Sequence, residues 1–380
     1  MADAAPKGLE GVVAAQTRLS MVDGKNGVLV IAGFPVETIA PKATFEETLF
    51  LLWNDRLPTR TDLDDLKRKL VAARALPEAT AALLRKAAQQ KAPVIDALRM
   101  ASATMSLGSG AQPPPRGAEE EAVALVARFP VVVAAYWRLL DGKEPIPGDP
   151  ALDHAANYLY MLSGKRPSAE RARAVGTYLN TISDHGFNAS TFTARVIVST
   201  DSDMVSAVTG AIGALKGPLH GGAPGPALDM VFEIGSPERA ESYLRAKLER
   251  GERLMGFGHR VYKVRDPRAD VLAGAARELY KGDTDRKLYE LATTVERTAL
   301  RLLDEYKPGR NLKTNVEFYT ALVLHGVELP VDLFTPTFAI GRVAGWTAHG
   351  FEQKKAARLI RPQSEYVGPT DRAWTSIEGR

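Results

Sequence analysis

The chain of 380 residues contains no cysteine. Disulfides and thiolate chemistry are therefore excluded, and a structural zinc site is not expected, because such sites rely largely on cysteine. Aromatic residues make up only 7% of the chain, and its lysines and arginines are dispersed rather than clustered. Nucleic-acid binding uses basic patches with stacking aromatics, so we do not expect it here. The formal net charge of +4 suits small anionic ligands instead.

Membrane and secretion signals are not visible in the sequence either. No apolar run approaches the ~20 residues of a membrane-spanning helix, so we expect no transmembrane segment and no membrane partner. Residues 1–6 have neither a basic region nor an apolar one of the kind that begins a secretory signal. A cytoplasmic protein is the expectation.

Several short catalytic motifs are missing. The chain has no HExxH, no GxGxxG after a strand, no GxxxxGK[ST] and no GxSxG. Zinc proteases, dinucleotide-binding enzymes, P-loop enzymes and α/β-hydrolases are therefore poorly supported. The histidines do not have the spacing of metal ligands, so we expect no metal.

The residue pattern predicts a mainly α protein with a small N-terminal β-hairpin. Residues 17–22 and 28–33 flank Asp-Gly-Lys-Asn-Gly at 23–27, which is a hairpin turn signal. From Phe45 onward, apolar residues recur three to four apart and predict one helix after another. These helices are expected from Phe45 and over 63–75, 77–90, 93–106, 120–141, 152–163, 169–183, 190–198 and 202–215.

The chain changes character after residue 222. Segments 225–251, 266–281 and 284–305 are charged and follow shorter patterns. We interpret 223–328 as a separate, smaller helical domain. Residues 1–222 then form the first part of a large domain, and 329–380 return to it and end in a C-terminal arm.

Two histidines, His220 and His259, lie on glycine-rich loops. Glycine allows a ligand to approach the backbone closely, and imidazole can donate a hydrogen bond or transfer a proton near neutral pH. Each could also be an ordinary loop histidine held by backbone carbonyls. Two such loops close together in sequence favour chemistry. His154, His325 and His349 are interpreted as structural.

Arg268 follows Asp266, which is well placed as a helix N-cap, and Pro267. A cation at the positive end of a helix is unfavourable unless it faces an anion. Arg268 is therefore a candidate for binding an anionic ligand. The alternative is a surface arginine paired with Asp270 or Glu278.

Three further residues stand out by their positions. Glu317 lies in the first turn of a helix that Asn315 would cap, where the helix dipole keeps a carboxylate ionised; it could be a base or only a cap. Arg342 lies in a helix of small and apolar residues with no acid within one turn. It needs a ligand or a tertiary partner unless it reaches solvent. His185 follows Asp184 in a turn and could be an oriented imidazole or a simple cap.

Taken together, these residues lie in segments that resemble the citrate synthase family, in its short bacterial and archaeal form. The resemblance runs over residues 8–369, with the segments in the family's order. They are 184–190 (DHGFNAS), 217–223 (GPLHGGA), 256–262 (GFGHRVY), 266–268 (DPR), 315–319 (NVEFY) and 342–346 (RVAGW).

The resemblance implies a mainly helical homodimer of two-domain subunits, an acyltransferase of the tricarboxylic acid cycle whose active site closes between the domains. It implies that His220 hydrogen-bonds the acetyl-CoA thioester, that His259 polarises the oxaloacetate ketone and that Glu317 is the base. No metal or redox cofactor is implied. The implied oxaloacetate ligands are His185, His259, Arg268, Arg342 and Arg361 of the other subunit, and the candidates for binding CoA are Arg260, Lys263 and Lys313.

The sequence departs from the family pattern at two places. Glu317 stands where most members have aspartate, and Lys313-Thr314 stands where many have Tyr-Pro. The extra methylene displaces the carboxylate by about a bond length, and a displacement of about 1 Å can cost ~10²-fold in rate. Two alternatives therefore stay open: a 2-methylcitrate synthase using propionyl-CoA, and a weakly active regulatory homologue that binds dicarboxylates or CoA. His220 argues against the second, because dicarboxylate binding alone does not require it.

Overall fold

The computed structural model describes residues 7–9, 11–110, 112–221, 224–259, 261–281 and 286–380. Within these ranges the chain forms sixteen α-helices and one three-stranded antiparallel sheet. The predicted mainly α class with a small N-terminal β element is therefore confirmed.

The sheet lies near the N-terminus. Strand β1 (Ser20–Asp23) pairs with β2 (Val28–Ile31), which pairs in turn with β3 (Phe34–Pro35). The Asp23 carboxylate accepts hydrogen bonds from the backbone N–H groups of Lys25 and Asn26 and so orders the turn. The hairpin is as predicted. The third strand and the short helix α1 (Val36–Ile39) that follows it were not expected.

Nine helices follow, and all nine correspond to predicted ones. Thr44 and Thr59 begin α2 and α3 with capping boxes, in which the threonine and an acid three residues later satisfy each other's backbone N–H groups. The nine are α2 (Phe45–Asn54), α3 (Arg60–Ala73), α4 (Glu78–Gln89), α5 (Val94–Ser102), α6 (Gly117–Leu140), α7 (His154–Ser163), α8 (Ala169–Ile182), α9 (Ala189–Val198) and α10 (Met204–Leu215).

Six more helices complete the described fold. The last of them is buried over most of its length and packs against α2, α6, α8, α9 and α10, so it lies at the centre of the core. The six are α11 (Pro224–Ile234), α12 (Ala240–Glu249), α13 (Pro267–Leu279), α14 (Arg286–Tyr306), α15 (Val316–Gly326) and α16 (Phe334–Ala356).

Helix α6 differs from the expectation that no segment of the chain is long and apolar enough to span a membrane. Its 24 residues are long and apolar enough to cross a membrane by length and composition, with a mean hydropathy of 1.6 over the most apolar window. However, 67% of that window is buried inside the protein. Arg128, in the middle of the helix, donates to the carbonyls of Ala73 and Met105. A buried helix whose cation is satisfied by neighbouring backbone is characteristic of a protein core.

The packing of four helices brings the predicted site residues together. Helix α8 packs against α13 and α16, and α13 packs against α15. The segment after α8 carries His185, the first turns of α13 and α15 carry Arg268 and Glu317, and the middle of α16 carries Arg342. The candidate site lies where these ends meet.

Candidate functional site

The segment before His259 is held against the segment before α15 by backbone hydrogen bonds. The N–H of Gly258 donates to the Lys313 carbonyl at 2.7 Å, and the N–H of Asn315 donates to the Gly256 carbonyl at 3.0 Å. Gly256 has φ +85°, and a Cβ there would lie 2.9 Å from Phe318, so this turn requires glycine. The pairing places the His259 loop beside the start of α15.

Glu317 lies in the first turn of α15, as predicted. Asn315 is the N-cap, and its Oδ1 accepts from the Glu317 N–H at 3.0 Å. Burial raises the pKa of Glu317, and the nearby charge of Arg268 opposes the shift without cancelling it. The expected dominance of the helix dipole is therefore not found. A raised pKa makes Glu317 a stronger base than an ordinary glutamate.

Arg268 is buried and forms an ion pair with Asp266. Its Nε and Nη2 donate to the two carboxylate oxygens of Asp266 at 3.0 and 2.8 Å. Asp266 also caps α13 by accepting from the Arg268 N–H. The alternative of a surface ion pair with Asp270 or Glu278 is wrong, and Asp270 pairs with Arg265 instead.

Arg342 is buried with much less compensation. Only 1% of it is exposed, its Nε donates to the Ile182 carbonyl at 2.6 Å, and its guanidinium lies 4.6 Å from the centre of the Phe338 ring. Across the described ranges, no acidic side chain forms an ion pair with it. Burial lowers its pKa to about 10, the charge of Asp184 opposes that shift, and the charge of Arg268 adds to it. A buried cation in this state favours an anionic ligand, and the alternative that it reaches solvent is excluded.

His259 has a defined hydrogen-bonding state. Its Nδ1 accepts from the backbone N–H groups of Val261 and Tyr262 at 3.0 and 3.1 Å. Burial and the charge of Arg268 lower its pKa to about 4, so it is neutral near pH 7. The single ring proton must then lie on Nε2, which is 3.4 Å from Nη2 of Arg268. The ring therefore presents a donor beside the arginine.

His185 lies against the same group. Its Nε2 is 3.0 Å from the hydroxyl of Tyr262, and its ring meets that of His259 edge to face with 6.2 Å between centres. Burial, followed by the charges of Arg268 and Arg342, holds its pKa well below the usual value. Both imidazoles are therefore neutral donors or acceptors near the guanidinium of Arg268, and His185 also lies near Arg342.

His220 approaches from the loop after α10. Its Nε2 lies 2.8 Å from Oγ of Ser190, which accepts from Nε1 of Trp346 at 3.1 Å and donates to Oδ1 of Asn188 at 2.8 Å. Burial and the charge of Arg342 lower its pKa to about 4. Its ring centre is 6.4 Å from that of Phe338. The structure thus brings His220 close to Arg342.

One supporting residue of the site, His349, was interpreted from the sequence only as structural. Its Nε2 contacts the Asp184 carboxylate at 3.1 Å, and its Nδ1 accepts from Nη1 of Arg195 at 3.0 Å. The two bonds fix the acid that precedes His185. In the sequence, His349 is a polar residue in a largely apolar helix, and the same feature identified Arg342 as a candidate site residue.

Four other predicted site residues are not linked to the histidines, arginines and glutamate described above by any of the contacts given so far. Arg361 is exposed in the extended segment after α16. Lys263 is exposed, and its backbone N–H donates to the Gly24 carbonyl at 2.8 Å. The ammonium of Lys313 pairs with Asp304 at 3.1 Å. Arg260 lies outside the described residues. Their roles stay predictions.

Comparison with known proteins gives consistent matches over almost the whole chain. Residues 8–363 match the family model described as citrate synthase, C-terminal domain. Citrate synthase 2 of Bacillus subtilis is 40% identical over 99% of both chains. The 2-methylcitrate synthase of Shewanella oneidensis is 37% identical over 98% of this chain and 97% of the relative. A solved ternary complex of carboxymethyl coenzyme A and oxaloacetate with citrate synthase from Thermoplasma acidophilum is similar in structure, with a TM-score of 0.87, 32% identity and 98% coverage of each chain.

Proposed function

The chain belongs to the citrate synthase family of acyltransferases, and we propose that it condenses acetyl-CoA with oxaloacetate and water to give citrate and CoA. The observation that carries the proposal is the pair of buried arginines, Arg268 and Arg342. Arg342 has no ion-pair partner among the described residues, and the donor of neutral His259 lies beside Arg268. This arrangement suits a small dicarboxylate with a carbonyl group.

Oxaloacetate would bind through charge-assisted hydrogen bonds. Arg268 and Arg342 present planar guanidinium groups, which match carboxylates in a bidentate manner. His185 would orient the substrate, and Nε2–H of His259 would polarise the ketone. Arg361 of the second subunit would complete the carboxylate site.

The acetyl group would be activated by Glu317 and His220. Glu317 removes a methyl proton from the thioester while His220 donates to the thioester oxygen, where charge develops. For Nδ1 of neutral His220 to carry that donor proton, the hydroxyl of Ser190 must donate to Nε2. The two atoms are 2.8 Å apart, but the hydroxyl donates to Oδ1 of Asn188 at 2.8 Å, so this tautomer requires the hydroxyl proton to turn from Asn188 to His220.

The carbon–carbon bond then forms between the enol carbon and the ketone carbon. The ketone oxygen takes a proton from Nε2 of His259, the ring regains one through solvent from the protonated Glu317, and the product is citryl-CoA. Water cleaves the thioester of citryl-CoA to release citrate and CoA. These steps use proton transfer and hydrogen bonding, and they require no redox cofactor.

We further propose that residues 223–328 form a small domain that closes over the substrates and excludes water during condensation. We also propose a homodimer. Tyr366, Val367, Trp374 and Ile377 are 69%, 90%, 82% and 74% exposed in the C-terminal segment. Large apolar side chains exposed together in this way support coverage by a second copy. The same contact would deliver Arg361. The cysteine-free composition is compatible with the cytoplasm.

The alternative substrate is propionyl-CoA, which the similarity to the Shewanella oneidensis relative favours. The test measures thiol release from acetyl-CoA and from propionyl-CoA, each with saturating oxaloacetate. We expect a strong preference for acetyl-CoA. Comparable or better use of propionyl-CoA would move the assignment to 2-methylcitrate synthase. If neither substrate gives thiol release, a regulatory homologue that binds dicarboxylates or CoA is the better assignment.

A further inference from the structure

We propose that Glu296 of α14 is a positioning residue for the base Glu317. Glu296 contacts no substrate in the mechanism above and acts through its neighbours. The inference rests on the proposed function, because it assumes that Glu317 removes the proton. It assigns a role to a carboxylate that the mechanism does not otherwise use.

The carboxylate of Glu296 binds side chains on both sides of Glu317 in the chain. Its Oε1 accepts from the hydroxyl of Thr314 at 2.6 Å, and its Oε2 accepts from the hydroxyl of Tyr319 at 2.5 Å. Only 12% of the Glu296 side chain is exposed. Thr314 and Tyr319 are both buried. One carboxylate thus holds the start of α15 at two points.

The same carboxylate also binds the segment that carries the anion-binding arginine. Arg265 Nη1 donates to Oε1 of Glu296 at 2.7 Å and contacts the Thr314 hydroxyl at 3.1 Å. Arg265 directly precedes Asp266, whose carboxylate binds Arg268. Glu296 therefore sets the distance between the base and the oxaloacetate site.

These hydrogen bonds are strong and lie on a rigid element. Charge-assisted hydrogen bonds are roughly twice as strong as neutral ones, and buried carboxylates are costly unless they are fully partnered. Helix α14 spans 21 residues and packs against α11 and α12, so Glu296 is anchored away from the loops that it holds. A catalytic group supported in this way stays within the narrow range of positions that proton abstraction requires.

Thr314 links the hydrogen bonds of Glu296 to Glu317, the position where most family members have aspartate. A hydroxyl at this position can donate to Glu296, whereas a proline, which many members of the family have there, cannot. The chain thus combines the longer carboxylate of Glu317 with an added hydrogen bond three residues before it. We infer that this bond is part of what places the longer side chain for reaction.

The experiment compares Thr314→Val, which removes the hydroxyl, with Thr314→Ser, which retains it. We expect the valine variant to lower kcat for acetyl-CoA about 10-fold, with the KM for oxaloacetate within about twofold of wild type. The serine variant should stay within about twofold in both. Affinity for carboxymethyl-CoA in the presence of oxaloacetate, measured by calorimetry, should fall with kcat in the valine variant.

Substitutions of Glu296 and Tyr319 test the other contacts. We expect Glu296→Gln to lower kcat more than Thr314→Val, by about 30-fold, because Arg265 also loses one of its two charged partners and keeps only Asp270. Tyr319→Phe should lower kcat in the same direction with oxaloacetate KM preserved. Glu290→Gln is the matched control, since Glu290 lies on the same helix but is exposed and pairs with Arg286. It should change nothing.

The outcomes separate this inference from the proposed function. Absence of thiol release by the wild type would remove the proposed function, and the inference with it. An active wild type with unchanged kcat in Thr314→Val and Glu296→Gln would overturn the inference alone. So would fully additive losses in the double variant Thr314→Val/Glu296→Gln, because residues of one network must couple. If Thr314→Val fails to fold, Tyr319→Phe and Glu296→Gln decide in the same way.

Discussion

Arg268 and Arg342 are both buried, yet they are satisfied in different ways. Arg268 has a bidentate partner in Asp266, whereas Arg342 has a backbone carbonyl, an aromatic ring and no ion pair among the described residues. Breaking a buried ion pair lowers the stability of the fold, and burying a cation without an acidic partner also lowers it. Arg268 therefore contributes to the stability of the fold, and the main role we propose for Arg342 is to bind the ligand.

The largest effect is expected from substitution of the proposed base, Glu317, which lies near Arg268. Glu317→Gln keeps the shape of the side chain but cannot accept the methyl proton, so we expect thiol release from acetyl-CoA to fall by about 10³-fold or more. Glu317→Asp should retain intermediate activity, because it is still a base at a different distance. Full activity of the glutamine variant would show that the proton is removed by another group.

Arg268→Met tests whether the buried ion pair between Arg268 and Asp266 stabilises the fold. It leaves the buried carboxylate of Asp266 without its cation, and we expect a loss of about 3–5 kcal/mol in the free energy of unfolding. Urea denaturation measures it. The double variant Asp266→Asn/Arg268→Met is the control and should recover part of the stability but no activity. Unchanged stability in the single variant would contradict the pairing.

Ser190→Ala tests the tautomer of His220. The Ser190 hydroxyl is the partner of Nε2 and can direct the ring proton to Nδ1 only by turning from Asn188 to His220. If it does so during the reaction, its removal should lower kcat about 10-fold with little change in the KM for oxaloacetate. Ser190→Thr retains the hydroxyl and is the comparison. Equal loss of oxaloacetate binding in the alanine variant would indicate a general disturbance of the loop.

The smallest effect is a shift in the pH profile. Burial raises the pKa of Glu317, so the ionised base is present at high pH and is lost as the pH falls through that raised value. His220 and His259 have pKa values of about 4 and remain neutral above it. We expect one acid limb in kcat, with its midpoint above 4.5, the ordinary value for glutamate. A limb near 6.5 with the temperature dependence of imidazole would contradict this assignment.

Local sequence patterns were sufficient for the nine helices α2 to α10 and for the hairpin, and they made Arg342 a candidate for burial. Caps and apolar spacing depend on neighbours in the chain, and an arginine in an apolar helix indicates its own burial. The acid partner of Arg268 was not identified, because Asp266 had been interpreted only as a cap. The hydrogen bonds of His349 and the raised pKa of Glu317 also could not be predicted. They depend on which helices pack together and how much water those helices exclude.

The most direct test of the account is a calorimetric titration of oxaloacetate into the wild type and Arg342→Met. Methionine fills similar space without a charge, so the variant should fold with unchanged or higher stability. We predict that its oxaloacetate affinity falls by about 10²-fold, because one carboxylate loses its cation. Equal affinity in the two proteins would contradict the claim that the site is built around two buried arginines.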